Sequence, residues 1–258
     1  MKTAIEVITP SVAETYLGQN HSNRKIRPAH VLFLRDEILE GRWQSNGATI
    51  VFGEEGRLLD GQHRLLAVKA ANKPIRTLVV HGVPNAFFST IDMGAPRKPA
   101  DTLKIMGESD TGLLASTIMW ILRYKKGEAG SFTRTKTSAT IVEKFLESNS
   151  KVRRSVEMCV RMKIMSSPVA AACHYLFAQK DHDLADKFLR GVREGAEIDR
   201  DDPIFLFRER MIENLASKAK LHAQYQMALM IKAWNSLRKK ERGVELSFKF
   251  SESFPQIV

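Results

Sequence analysis

The residues best suited to chemistry in this sequence are five consecutive ones, Asp60 to Arg64, within the segment LLDGQHRLLAV. An apolar strand is predicted to end at Asp60, and Gly61 permits a sharp turn with positive φ. A helix then begins at once, and the first N–H groups of a helix have no partner inside it. The helix dipole and the guanidinium fork of Arg64 add positive charge, and His63 adds a further donor. The pattern therefore predicts a phosphate-binding turn.

Asp60 has several possible roles in such a turn. A carboxylate repels phosphate unless it holds a divalent cation, orients Arg64 or His63, or takes a proton from an attacking hydroxyl. The alternative is purely structural, with Asp60 capping the helix and Arg64 in a surface ion pair. The flanking strand and helix are apolar, a poor setting for His and Arg without a function, and this favours the phosphate site.

The turn and its neighbours resemble the ParB/sulfiredoxin superfamily over about residues 3–105. The resemblance is carried by G-x-x-R-x-x-A at Gly61, Arg64 and Ala67, between a strand and a helix and with a Pro-led connection downstream. The upstream helix, ending in Ile38-x-x-Gly41-x-Trp43, matches as well. The DGQHR form is closest to branches found in phage and prophage proteins, in a regulator of DNA phosphorothioation and in free-serine kinases.

The resemblance implies that Gly61, Gln62, His63 and Arg64 bind the phosphates of a nucleoside triphosphate, with Mg²⁺ as the accompanying ion. Sulfiredoxins carry Cys directly after the Gly, and Gln62 stands there, which argues against sulfinic acid reduction. ParB proteins carry two consecutive Arg, and His63 replaces the first, which argues against a CTP-dependent clamp.

The serine-kinase branch shares Asp60, so the resemblance implies a phosphotransfer or NTP-hydrolysis role in which Asp60 places the metal or the attacking group. Glu37 and Glu40 are candidates for the branch's catalytic glutamate. Some relatives are described as nucleases, but the sequence offers no convincing cluster of carboxylates for two metal ions.

A second candidate segment is Asp92–Asp101, DMGAPRKPAD. Arg97 contacts the same phosphates if this loop packs beside the turn. The alternative is that Arg97 pairs with Asp101 in the first turn of the next helix, and the sequence does not decide between the two.

Two basic segments are candidates for contact with DNA. Arg134 and Lys136 lie in the predicted loop FTRTK, beside an aromatic ring. Arg238, Lys239 and Lys240 lie in a basic run that ends the last helix. Each has a plain alternative, a linker for the first and a solvated face for the second.

The pattern of elements predicts an α+β protein in two domains. Short strands and helices alternate over residues 1–108, which indicates a small mixed-sheet domain of the ParB/sulfiredoxin-like kind. Residues 109–258 read as an all-α helical domain, with helices near 110–126, 136–148, 151–165, 168–179, 182–192, 203–217 and 218–240. The final GVELSFKF alternates like a strand and is expected to pair with the first domain or to form an edge.

Composition bounds the class of protein. The chain has 258 residues, of which 43% are apolar, and a formal net charge of +11. Such a basic balance favours a polyanionic partner, DNA above all. Neither a spanning segment nor a secretory signal is recognisable, so a cytoplasmic protein without membrane contact is expected, encoded by a phage or prophage if the resemblance holds. Its two cysteines are expected to be reduced and buried, and its oligomeric state is left open.

Overall fold

The computed structural model describes the chain except residues 22, 24, 85–86, 88–97, 133–136, 196–197 and 250. It divides into two compact units, Met1–Pro96 and Arg97–Val258. Within the described residues there are four strands and eleven helices, and most of the helices lie in the second unit. The fold is therefore mixed, with a sheet-containing unit followed by a helical one. The sequence pattern placed the boundary after residue 108, but the helix that spans 99–105 packs against helices of the second unit.

The first unit is built on a mixed four-stranded sheet. Its strands are β1 (Lys2–Ile8), β2 (Thr49–Gly53), β3 (Leu58–Asp60) and β4 (Ile75–Val83), in the order β1-β4-β2-β3. β4 pairs antiparallel with β1 and parallel with β2, while β2 and β3 form a hairpin. The hairpin turns at Gly53–Gly56, as its glycines predict.

Three helices complete this unit: α1 (Pro10–Leu17), α2 (Pro28–Leu39) and α3 (Gln62–Ala71). Proline occupies the first position of α1 and of α2, where its missing N–H costs nothing. The hydroxyl of Thr9 caps α1 by accepting from the amide of Val12 at 3.2 Å. Strand and helix side chains such as Ile8, Ile50 and Leu65 form one buried cluster. This cluster fixes the start of α3 against the sheet.

The second unit is helical. Its helices are α4 (Pro99–Ile105), α5 (Thr111–Lys125), α6 (Ala139–Ser148), α7 (Val152–Cys159), α8 (Ser167–Ala178), α9 (His182–Glu194), α10 (Pro203–Ala216) and α11 (Ala223–Arg238). α8 is buried on nearly every side, and an all-round apolar helix belongs at the centre of a bundle. Phe177 stacks on Trp234 with ring centroids 4.3 Å apart. Cys159 and Cys173 are free and buried, as expected.

α7 and α11 are much shorter than the sequence predicts. α7 ends at Cys159 rather than near residue 165, because the chain turns there and places Met162 and Met165 in the core. α11 begins at Ala223 rather than at 218. The side chain of Asn214 accepts from the amide of Leu221 at 2.6 Å and holds the preceding segment in a non-helical path.

The prediction of a C-terminal strand is wrong for the described residues 243–249, which form no strand. Phe248 is instead buried, with its ring 5.8 Å from those of Tyr225 and Phe254. The segment comes after α11 in the chain and bonds back to it, since Nζ of Lys232 in α11 donates to the carbonyl of Ser247 at 2.5 Å. The apolar alternation thus fits the helical core and not a sheet edge.

None of the helices in the described part of the chain has both the length and the apolar character that crossing a membrane requires.

Candidate functional site

The predicted turn is a strand–glycine–helix junction in the structure. β3 ends at Asp60, Gly61 is the N-cap residue with φ 104° and ψ 0°, and α3 begins at Gln62. A Cβ on Gly61 would lie 3.0 Å from Cγ1 and 3.2 Å from Cα of Ile50. Both the backbone angle and the close approach of β2 therefore require glycine here.

Asp60 and Arg64 form a partly buried ion pair across the turn. Arg64 Nη1 donates to Asp60 Oδ2 at 3.0 Å and to the backbone carbonyl of Thr49 at 2.8 Å. The Asp60 side chain is 13% exposed and the Arg64 side chain is 23% exposed. Asp60 does not cap α3, since no side chain accepts from the helix amides at its N-cap. The carboxylate and the Thr49 carbonyl instead fix the direction of the guanidinium.

Gln62 and His63 point into the protein rather than outward. Both are 4% exposed. The Nε2 atom of His63 accepts from the amide of Arg27 at 3.0 Å, so that nitrogen carries no proton in this arrangement. Gln62 Oε1 accepts from Asn20 Nδ2 at 3.3 Å. These two contacts hold the segment before α2 against the turn.

That segment, residues 19–27, is the part of the site that sequence reasoning missed. The amide of Leu58 donates to the carbonyl of Gln19 at 3.0 Å. Asn23 Nδ2 donates to the Leu58 carbonyl at 2.8 Å and to Asn20 Oδ1 at 2.6 Å. The available signal was the high content of Asn and Gln, whose amides satisfy backbone groups that a short strand leaves open.

Glu37 and Glu40 serve a different cluster. Glu37 is buried and accepts from Arg42, with Oε1 at 2.9 Å from Nε and 2.8 Å from Nη2. Glu40 is exposed and pairs with Nη1 of the same arginine. No hydrogen bond or ion pair connects either glutamate to Asp60 or Arg64 within the described residues. Both carboxylates therefore hold Arg42 at the end of α2.

The described residues also do not assemble a metal-binding group. No set of three His, Cys, Asp or Glu side chains with suitable geometry occurs in the described part of the chain. Asp60, the predicted metal ligand, is already engaged by Arg64. The donor set at the turn thus fits an anion better than a resident divalent cation.

The remaining candidates are divided between two groups. Arg97, Arg134 and Lys136 lie outside the described residues. Arg238, Lys239 and Lys240 are exposed at the C-terminal end of α11. Arg238 lies over the ring of Trp234, with its guanidinium carbon 5.9 Å from the ring centroid.

A second polar constellation lies inside the helical unit. His174 Nδ1 lies 2.9 Å from Ser155 Oγ, and His174 Nε2 lies 3.0 Å from Asp186 Oδ1. The other oxygen of Asp186, Oδ2, pairs with Arg154. These residue types match a nucleophilic triad, but Ser155 and His174 are each only 2% exposed. A substrate cannot reach that hydroxyl. The group is a satisfied polar network in the core.

Burial governs the titration of this network. It lowers the pKa of His174 below its ordinary value, although the hydrogen bond and charge of Asp186 oppose the shift. Burial alone would raise the pKa of Asp186, but the hydrogen bond from His174 and the charge of Arg154 lower it overall. His174 is therefore neutral near pH 7, and Asp186 is ionised.

Comparison of the chain with protein-family models, curated proteins and solved structures gave no significant match. The resemblance to the ParB/sulfiredoxin superfamily therefore rests on the residues of the turn and its neighbours alone.

Proposed function

We propose that the first unit is a ParB/sulfiredoxin-like domain that binds the triphosphate of a nucleotide at the Asp60–Arg64 turn. The observation that supports this most directly is the left-handed Gly61 at the start of α3, with Arg64 one turn further on. A helix N-terminus preceded by glycine presents backbone amides to an anion, and the guanidinium adds a charge-assisted contact.

The roles within the turn differ from one residue to the next. Arg64 and the backbone amides supply the phosphate contacts. Asp60 orients Arg64, and Gln62 and His63 hold the neighbouring segment in place. Magnesium would arrive with the nucleotide, and no step is assigned to it because the turn offers a single carboxylate that is already paired. Glu37 and Glu40 are structural in this proposal.

Calorimetry with ATP, GTP, CTP and UTP in the presence of Mg²⁺ tests the proposal. Arg64→Ala should weaken binding at least about tenfold, since a charge-assisted hydrogen bond contributes roughly 1.5–3 kcal/mol. Arg64→Lys, which keeps the charge but loses the fork, should weaken it less. Arg35→Ala is the matched control, because Arg35 pairs with the exposed Asp36 beside it on α2. Failure of the wild-type protein to bind any of the four nucleotides overturns the proposal.

The second candidate function is DNA binding by the helical unit, in the phage or prophage, cytoplasmic setting that the resemblance implies. It is favoured by the net charge of +11 and by three consecutive exposed cations at the end of α11. Lysine–phosphate contacts release counterions, so affinity falls with salt in proportion to their number.

Fluorescence anisotropy with duplex DNA over a salt series measures this dependence. The double change Lys239→Ala and Lys240→Ala should reduce the salt slope by about two. Arg242→Ala should leave the slope unchanged, since Arg242 already lies within 3.4 Å of carboxylates of Asp199, Asp201 and Asp202. DNA binding that is absent, or insensitive to salt, excludes this candidate.

A further inference from the structure

The outer edge of β1 is unpaired in the described part of the chain. β1 lies at one end of the sheet, and its backbone groups bond only to β4 on the inner side. The opposite end is treated differently, because the Gln19–Asn23 segment covers β3 with bonds to both the amide and the carbonyl of Leu58. Among the described residues, one edge of the sheet is thus covered and the other is not.

β1 is also regular along its length, and Lys2 and Glu6 are its only charged residues. Its register with β4 runs without a shift from Lys2 opposite His81 to Ile8 opposite Ile75. It contains no proline and no bulge, and Ile5 and Val7 are 62% and 55% exposed. A regular, apolar and unpaired edge of this length is a template for another strand.

We propose that β1 pairs antiparallel with β1 of a second copy of this chain, about a two-fold axis at Ala4. In this register Lys2 lies opposite Glu6 of the second copy, and symmetry repeats the pair. Lys2, Ala4 and Glu6 project from one face of the strand. Glu6 Oε2 already accepts from the Tyr16 hydroxyl at 2.7 Å, and Lys2 of the second copy adds an opposite charge to the same carboxylate.

Neighbouring registers do not give this match. An axis at Ile5 places Lys2 opposite the buried Ile8 of the second copy and Glu6 opposite Ala4. An axis at Thr3 places Lys2 opposite Ala4 and leaves Glu6 beyond the pairing. Charge complementarity therefore selects the Ala4 axis, and the two sheets join into one of eight strands.

Cysteine cross-linking tests the register. With the axis at Ala4, the two copies of Ala4→Cys lie directly opposite each other. Their Cα atoms are then within the range of roughly 4.4–6.8 Å that a disulfide spans. The control is Lys2→Cys, whose two copies lie four residues apart along the strands, about 13 Å. Burial raises the pKa of Cys159 to about 12 and keeps both native thiols from contributing. Ala4→Cys should cross-link readily under mild oxidation, and Lys2→Cys should not.

Light scattering over a concentration series gives the second measurement, on the full chain. The wild-type protein should dimerise, and Lys2→Glu should raise the dissociation constant about tenfold, since it sets like charges opposite each other twice. Adding Glu6→Lys should restore dimerisation. A chain that is monomeric at all concentrations overturns the proposal. The proposal is also overturned if Lys2→Glu leaves the dissociation constant of the dimer unchanged and Ala4→Cys cross-links no faster than Lys2→Cys. Neither result depends on nucleotide or DNA.

Discussion

Replacing Gly61 with Ala should destabilise the first unit more than replacing any open-space glycine of the hairpin. At φ 104° a residue with a Cβ adopts a backbone conformation that costs about 1–2 kcal/mol. The new Cβ would also lie 3.0 Å from Ile50 Cγ1 and 3.2 Å from Ile50 Cα, and overpacking of this kind costs roughly 1–3 kcal/mol. The two terms together predict a loss of about 2–5 kcal/mol in the free energy of unfolding.

The matched control is Gly56→Ala in the β2–β3 turn. Gly56 also has a positive φ, 76°, but a Cβ on this residue would meet no atom within 4 Å, so only the backbone term of about 1–2 kcal/mol applies. Urea unfolding with hydrogen exchange of the amides of β2 and α3 separates this unit from the helical one. Equal losses for Gly61→Ala and Gly56→Ala would refute the close approach of Ile50 as the reason for glycine at this turn.

Two further substitutions test assignments made from the structure. Glu37→Gln should lower the free energy of unfolding by roughly 1–3 kcal/mol, because Arg42 loses a charged acceptor, and it should leave nucleotide affinity unchanged; a loss of turnover at unchanged stability would return Glu37 to a catalytic role. His174→Gln should flatten the fall in stability between pH 7 and pH 5. The pKa of His174 is lower in the folded protein, so the unfolded chain binds the proton first as the pH falls. The contribution of His174 to the free energy of unfolding is therefore full above the ordinary pKa of 6.5 and declines below it, by at most about 1.4 kcal/mol per pH unit. Urea unfolding at several pH values measures this, and an identical pH dependence in the variant would contradict the assignment.

The sequence predicts best where local physics decides. Proline favours the first position of a helix, and α1, α2 and α4 each begin at a proline. β1 spans Lys2–Ile8 and is one of the short strands that the sequence predicts for residues 1–108. The DGQHR segment also forms the predicted strand, turn and helix, because the positive φ of Gly61 and the periodicity around it are properties of the segment itself.

The errors occur where distant contacts decide. The alternation of GVELSFKF is typical of a strand, but the aromatic rings of Tyr225 and Phe254 offer Phe248 a buried position in the helical unit. The 19–27 sequence has no periodicity of its own, and its described residues are placed by bonds to Leu58, Gln62 and His63, which are far away in sequence. The periodicity of the local sequence indicates neither arrangement.

The candidate site illustrates the same division at the level of side chains. The residue types predict phosphate contacts for His63 and Arg64, and the resemblance implies one for Gln62. Burial separates them: two are 4% exposed and bonded to the neighbouring segment, whereas Arg64 keeps partial exposure beside Asp60. A phosphate at this turn would then be recognised by backbone amides and one guanidinium, which read charge and shape rather than the base. Selectivity among nucleotides must then come from groups outside the turn, and Asn20 and Arg27, which bond to Gln62 and His63, belong to a segment placed beside it.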